Sequence, residues 1–229
     1  MNKSIAFASL LVLSIVSFVV AQIPNVNLAN SIVQARQQNN ALLVTYTWTV
    51  QTQIMKDGNV KDTRIQQVAY GPGGVPQYTL INDESSPLPR GFFRRSIAEN
   101  EKEEVETYLK GVEQLVAQYT LPTPGAIVNF LQSATIVQTT GPAGLQALQT
   151  TGANVVTPGD SMTITFNPTT YLPTSMNVST SYNGQPLTMN ATFRTVPGSN
   201  LNHMQYSTVN IPGKGLMVNV HNYDYVPNN

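Results

Sequence analysis

Hydrophobic residues recur along this chain with two periods, and each period marks out a different kind of element. Over residues 41–55, Leu42, Val44, Tyr46, Trp48, Val50 and Ile54 share one parity, while Thr45, Thr47, Thr49, Gln51 and Gln53 hold the other. Period two with one apolar and one hydroxyl-amide face predicts a long strand. Lys56-Asp57-Gly58-Asn59 turns it, because Asp-Gly tolerates the left-handed conformations of a tight hairpin. Residues 60–70 then return as a more polar strand. Gly71-Pro72-Gly73-Gly74 breaks the chain, and residues 77–81 predict a short third strand. From about Ala147 onward the same period repeats: Met162, Ile164, Phe166; Leu172, Met176, Val178, Tyr182; Leu187, Met189, Ala191, Phe193; Leu216, Val218, Val220. Pro158-Gly159, Asn183-Gly184, Pro197-Gly198 and Pro212-Gly213 punctuate this run, which predicts an antiparallel meander with one buried face.

Helical spacing appears in two places. Leu28, Ile32, Val33 and Ala35 predict a short helix over residues 27–39, with Asn27 or Asn30 as cap. Val105, Tyr108, Leu109, Val112, Leu115, Val116 and Tyr119 recur at i, i+3, i+4, i+7 and give the strongest helix in the chain, over residues 96–120. Ser96 with Glu99 reads as a capping box, and Pro122 and Pro124 end the helix. Residues 125–133 add a short one. Residues 83–95 read as a loop and residues 136–145 as a mobile loop.

The first twenty-one residues have another character. Met1-Asn2-Lys3 precedes an apolar run from Ile5 to Val20, and Val19-Val20-Ala21 supplies a small-residue exit. This is the pattern of a secretory signal peptide cut after Ala21. The run is shorter than the ~20 residues that span a bilayer, so the mature chain, residues 22–229, is expected to have no transmembrane segment and to form a single domain. A periplasmic or secreted location follows.

Composition narrows the function classes. Lys+Arg and Asp+Glu are 12 each and charged residues make up only 10% of the chain, so no basic face is expected and nucleic acid is excluded as a partner. With no Cys there is neither disulfide, thiolate nucleophile nor thiolate metal site. Asn177-Val178-Ser179 and Asn190-Ala191-Thr192 are nominal glycosylation acceptors of the kind a chain rich in Asn, Ser and Thr contains by chance. No nucleophile-elbow, metalloprotease, phosphate-loop or dinucleotide motif occurs. His203 and His221 are the two histidines; they are expected on neighbouring strands as ordinary strand residues rather than as metal ligands. Asp62, Asp83, Glu84 and Asp224 are scattered over different elements. No catalytic residue, metal site or cofactor is assigned.

What stands out concerns surfaces. Gly91-Phe92-Phe93-Arg94-Arg95 sets two aromatics beside two arginines ahead of the long helix. One reading is a gate in which Phe92 and Phe93 touch an apolar ligand and Arg94 meets an anionic head. The other, favoured on base rates, is a hydrophobic staple with Arg–Glu pairing along the helix. Tyr46 and Trp48 either line a cavity or pack in an ordinary core.

Two resemblances extend this reading. Arg90-Gly91-Phe92-Phe93-Arg94-Arg95-Ser96-Ile97-Ala98, Pro158-Gly159-Asp160-Ser161-Met162-Thr163-Ile164-Thr165-Phe166 and Val218-Asn219-Val220-His221-Asn222-Tyr223-Asp224-Tyr225 together resemble a group of exported bacterial proteins of unassigned function. That group is more basic around the long helix, where this chain has Glu99-Asn100-Glu101-Lys102-Glu103-Glu104. In element order, the chain is similar to periplasmic lipoprotein carriers of the LolA kind, whose open half-barrel holds acyl chains beneath a helical lid. The resemblance implies an α+β fold: one strongly curved antiparallel sheet, a LolA-like half-barrel, with a helical insertion at about residues 96–133 whose long helix packs across the concave face. Val105, Leu109, Val112 and Val116 would then face Tyr46, Trp48 and Val50. The expected function is non-enzymatic binding of an apolar or amphipathic, lipid-like ligand between helix and sheet, with Tyr46, Trp48, Phe92, Phe93, Arg94, Leu109 and Val112 as cleft-lining residues. The alternatives are an interaction or sensory module that meets an envelope protein partner, and a hydrolase with an unrecognised site.

Overall fold

A computed structural model describes residues 25–85, 92–140 and 145–228, with the side chains of 25–26, 84–85 and 92–102 excluded. The signal-peptide expectation therefore lies outside the described residues. The elements run α1 (Asn25–Leu43), β1 (Tyr46–Lys56), β2 (Asn59–Tyr70), β3 (Pro76–Ser85), α2 (Phe92–Thr120), α3 (Pro124–Ser133), β4 (Thr135–Thr140), β5 (Gln146–Ala153), β6 (Ser161–Phe166), β7 (Pro173–Tyr182), β8 (Gln185–Thr195), β9 (Asn202–Ile211), a 3-10 turn at Pro212–Lys214 and β10 (Leu216–Pro227).

All ten strands form one open antiparallel sheet in the order β3-β2-β1-β10-β9-β8-β7-β6-β5-β4. The order has a simple cause. The first three strands step outward to one edge, the helices carry the chain to the opposite edge, and a meander returns to the middle, where β10 meets β1. A 29-residue α2 extends about 43 Å at ~1.5 Å per residue. Nine inter-strand steps at ~4.8 Å also come to about 43 Å, so the helix is long enough for the crossing. Asp57-Gly58 and Asn183-Gly184 both close their hairpins with positive φ at both positions (51° and 76°; 48° and 73°), the conformation that makes such dipeptides hairpin formers.

Several boundaries differ from those the pattern suggests. α1 runs to Leu43 and takes in Ala41-Leu42-Leu43, which alternation assigns to the strand. Leu42 and Val44 are exposed (38% and 40%), while Leu43 continues the α1 face that carries Ile32, Arg36 and Asn39. Thr45 ends the helix, its N–H and hydroxyl both donating to the Leu42 carbonyl. β3 is ten residues long rather than five and forms a sheet edge. α2 begins at Phe92, so Ser96 lies inside the helix rather than at its start. Residues 136–140, read as part of a mobile loop, belong to edge strand β4, which pairs with β5; residues 141–144 lie outside the description. α3 starts one residue earlier than the pattern suggests: Thr123 caps it, its hydroxyl accepting from Ala126 N–H, and Pro124 takes the first turn.

The core has a different composition from the one expected. Val112, Leu115 and Tyr119 of α2 are buried in one cluster with Leu28 and Ile32 of α1, Ile127, Phe130 and Leu131 of α3, and the inward residues of β5–β10, among them Leu148, Met162, Met176, Leu187 and Met189. Leu109 and Val105 pack against this cluster partly buried. Tyr46, Trp48 and Val50 are not part of it. α2 therefore buries its apolar stripe on the later strands, with Tyr108 edge-on to Tyr182 at 5.2 Å and Gly111 so close to Tyr182 that a Cβ would collide with the phenol. The expected partnership of Leu109 and Val112 with Tyr46 and Trp48 does not form. Those two aromatics lie on the first strand, which belongs to the other wing of the sheet.

Candidate functional site

The α2 C-terminus, α1 and α3 surround a cavity of about 600 Å³ over the central strands. One face of α1 supplies Ile32, Arg36, Asn39, Asn40 and Leu43, the i, i+4, i+7, i+8, i+11 positions of a single helical stripe. The sheet and α3 contribute apolar depth through Ile127, Phe130, Met162, Phe166, Met176 and Phe193. A reciprocal pair ties the α1 wall to β9: Asn39 Nδ2 donates to the Asn202 carbonyl at 2.8 Å, and the Asn202 N–H donates to Asn39 Oδ1 at 2.7 Å.

An aromatic group from the central strands lines the cavity on the side of the early strands. Trp48 stacks on Tyr225 with centroids 5.5 Å apart and planes 5° from parallel, and lies 5.9 Å from Tyr70. Its Nε1 donates to Asn222 Oδ1 at 3.2 Å, and Asn222 Nδ2 in turn donates to the Met204 carbonyl at 2.9 Å, so the indole is held in place by a satisfied network. Tyr225 reaches this position through an irregularity. Thr49 pairs with Tyr223 but Thr47 pairs with Val226, so β10 carries an extra residue, and Asp224 adopts φ 53° there. Such a bulge re-aims the residues beyond it. Tyr223 accordingly stacks near His221, 4.8 Å away, while Tyr225 lies on Trp48 and lines the cavity.

Electrostatically the cavity is unbalanced. Arg36 is its one formally charged lining residue among the described residues, and no Asp or Glu lines it. Burial lowers the Arg36 pKa from its ordinary value. Burial also raises the Tyr225 hydroxyl pKa, with a further push from Tyr70. His203, whose ring is 4.1 Å from that of Tyr225, has its pKa lowered chiefly by burial, with Arg194 and His221 adding to the effect against an opposing Met204 carbonyl. Burial thus favours its neutral form. Its Nδ1 is buried without a well-formed hydrogen bond among the described residues.

Of the cleft residues expected from sequence, Trp48 lines this cavity, whereas Tyr46, Leu109 and Val112 do not. Val112 is 3% exposed within the core cluster. The side chains of Phe92, Phe93 and Arg94 lie outside the described residues. Arg36, Tyr70, His203 and Tyr225 are the lining residues that sequence reasoning passed over. Spacing from Ile32 to Leu43 is the signal that would have found Arg36, once the helix is known to run that far. The histidines do lie on adjacent strands, but His221 stacks on Tyr206 at 4.2 Å, Asp62 pairs with Arg64 at 2.8 Å, and no group of three or more His, Asp or Glu suited to a metal occurs among the described residues.

Solved structures of two bacterial families are similar to this fold. One is a DUF1329 family protein from Desulfovibrio piger, with a TM-score of 0.39 and 8% identity over 89% of this chain and 93% of that one. The other is a LolA superfamily protein from Nitrosomonas europaea, with a TM-score of 0.35 and 11% identity over 88% of this chain and 94% of that one. No family model and no curated protein matches the chain.

Proposed function

We propose that this chain is an exported binding protein that holds an amphipathic, lipid-like ligand in the α1–α3 cavity, without catalysing a reaction. The observation that carries the reading is the cavity: about 600 Å³, within the 300–1,000 Å³ usual for small-molecule sites, and apolar in depth with a few fixed polar groups. In this reading the sheet is a half-barrel, α2 and α3 cover its concave face, and the mature chain works in the periplasm or outside the cell. Support for export comes from the first twenty-one residues. Among the described residues, no helix is long and apolar enough to cross a membrane.

Trp48 is the chain's one tryptophan and lines the cavity, so its fluorescence reports occupancy directly. Titration with dibrominated stearic acid is expected to quench more than half of its emission, saturating near one ligand per chain, and unbrominated stearic acid should compete. Quenching that never saturates would overturn the reading. Intact-mass analysis of protein recovered from its native host is expected to show an N-terminus at Gln22; a retained Met1 would remove the export step.

A further inference from the structure

Arg36 extends the proposed cavity function to the chemistry of the ligand. Its guanidinium has five N–H donors, and one of them is used: Nη2 donates to the Thr120 carbonyl at 3.1 Å. That bond places positive charge at the C-terminus of α2, where the helix dipole favours it. The remaining donors have no hydrogen-bond partner among the described residues, and no carboxylate of those residues pairs with the group. A partly buried arginine with neither acid nor full hydrogen bonding is costly for its size. Lysine, with its solvated point charge, would snorkel away more readily, whereas the planar fork matches carboxylate or phosphate oxygens.

The surroundings sort by polarity. Asn40, Gln118 and Asn129 line the cavity with Arg36, and among the described residues no side-chain hydrogen bond occupies their amides. Arg36 touches the last turn of α2, the turn that carries Gln118, and α1 packs along α3, the helix that carries Asn129. Met162, Phe166, Met176 and Phe193 come from the sheet. The helical wall thus offers hydrogen-bond donors and a positive charge, while the β6–β8 part of the sheet offers hydrocarbon, sulfur and aromatic surface.

We propose that Arg36 forms a head-group subsite that selects ligands bearing a single anionic group, a carboxylate or a phosphate monoester, on an apolar tail. This rests on the cavity reading given above. The test uses the mature chain and Trp48 quenching by four brominated ligands of one tail length: the fatty acid, the alkyl phosphate, the methyl ester and the alkylamine. The acid or the phosphate is expected to bind at least tenfold more tightly than the ester, and the amine more weakly still. Whichever of the two anions binds more tightly identifies the head group. Arg36→Gln should abolish the preference for the anions over the ester, and Arg36→Lys should retain part of it. Inorganic phosphate should compete with the anionic ligands but not with the ester. Equal binding of acid, phosphate and ester by the unaltered chain would overturn the subsite and leave the cavity reading standing; that comparison needs no variant to fold. If none of the four binds, both readings fall.

Discussion

Asp160→Asn is expected to unfold roughly 10 °C below the unaltered chain. Asp160 is 2% exposed and lies in the turn between β5 and β6. Its carboxylate accepts the backbone N–H groups of Val155, Val156 and Thr157 and the hydroxyl of Tyr119, the last at 2.6 Å. Tyr119 also bonds Thr180 on β7, so one buried charge fastens the end of α2 to the turn and to the sheet. An amide presents one oxygen where the carboxylate has two, and turns N–H groups toward donors. Hydrogen bonds to a charged acceptor contribute about 1.5–3 kcal/mol each, and breaking a buried charged network costs about 3–5 kcal/mol. We expect a loss of about 3–4 kcal/mol, which at ~2–4 °C per kcal/mol for a chain of this size gives the stated shift. Tyr119→Phe removes one charge-assisted bond together with the contact to Thr180 and should cost about 1.5–3 kcal/mol.

The same carboxylate predicts an acid dependence. Burial by itself would raise its pKa, but bonds from Thr157, Tyr119, Val156 and Val155 outweigh burial and lower it. The folded group therefore holds its proton less tightly than the unfolded one. Its stabilisation is full above the unfolded value, near 3.9, and is lost as pH falls through the folded value. Urea unfolding at pH 7 and pH 3 should show the unaltered chain losing more stability than Asp160→Asn over that interval. Parallel losses would show that Asp160 is not the group responsible.

Gly152→Val is expected to be nearly as damaging, by about 3 kcal/mol. Gly152 is buried in β5, and a Cβ there would lie 2.6 Å from Phe130 Cε2 and 3.0 Å from its Cδ2. Phe130 is itself 8% exposed and belongs to α3. A branched side chain must push this ring, and the helix with it, off the sheet; overpacking of that kind costs about 1–3 kcal/mol and more where nothing yields. Phe130 and Ala153 also line the cavity, so ligand affinity should fall together with stability. Combining Gly152→Val with Phe130→Ala should cost clearly less than the sum of the two single changes, because the same contact is relieved. Additive losses in denaturant titrations would disprove the steric account.

The strands were legible wherever one face is buried and the other wet. Leu187, Met189 and Ala191 are 1%, 2% and 3% exposed on the parity that alternation assigns them, and the Asn-Gly and Asp-Gly turns close as their chemistry demands. Residues 41–44 misled because they satisfy both periods, and exposure of Leu42 and Val44 removed the penalty for leaving the strand. Tyr225 was not legible, because strict alternation puts it with Tyr223 and one inserted residue reverses its side. The stripe on α2 was correctly read as apolar, yet periodicity tells which face is buried and says nothing about which strands will cover it. That is why Leu109 and Val112 were assigned to a cleft they do not line. Arg36 sits in the polar run Gln34-Ala35-Arg36-Gln37-Gln38, where nothing in composition sets it apart; only the neighbours that folding brings to it do.

The join between β1 and β10 at the middle of the sheet has a consequence for biogenesis. The earliest strand to leave a ribosome must wait for the latest before it acquires its second neighbour, and contacts between such distant parts of a chain make folding slow. Until then the two wings cannot unite, and the aromatic lining that Trp48 and Tyr225 build together does not exist. A polypeptide held open in this way completes its sheet only after β10, its last strand, has been made.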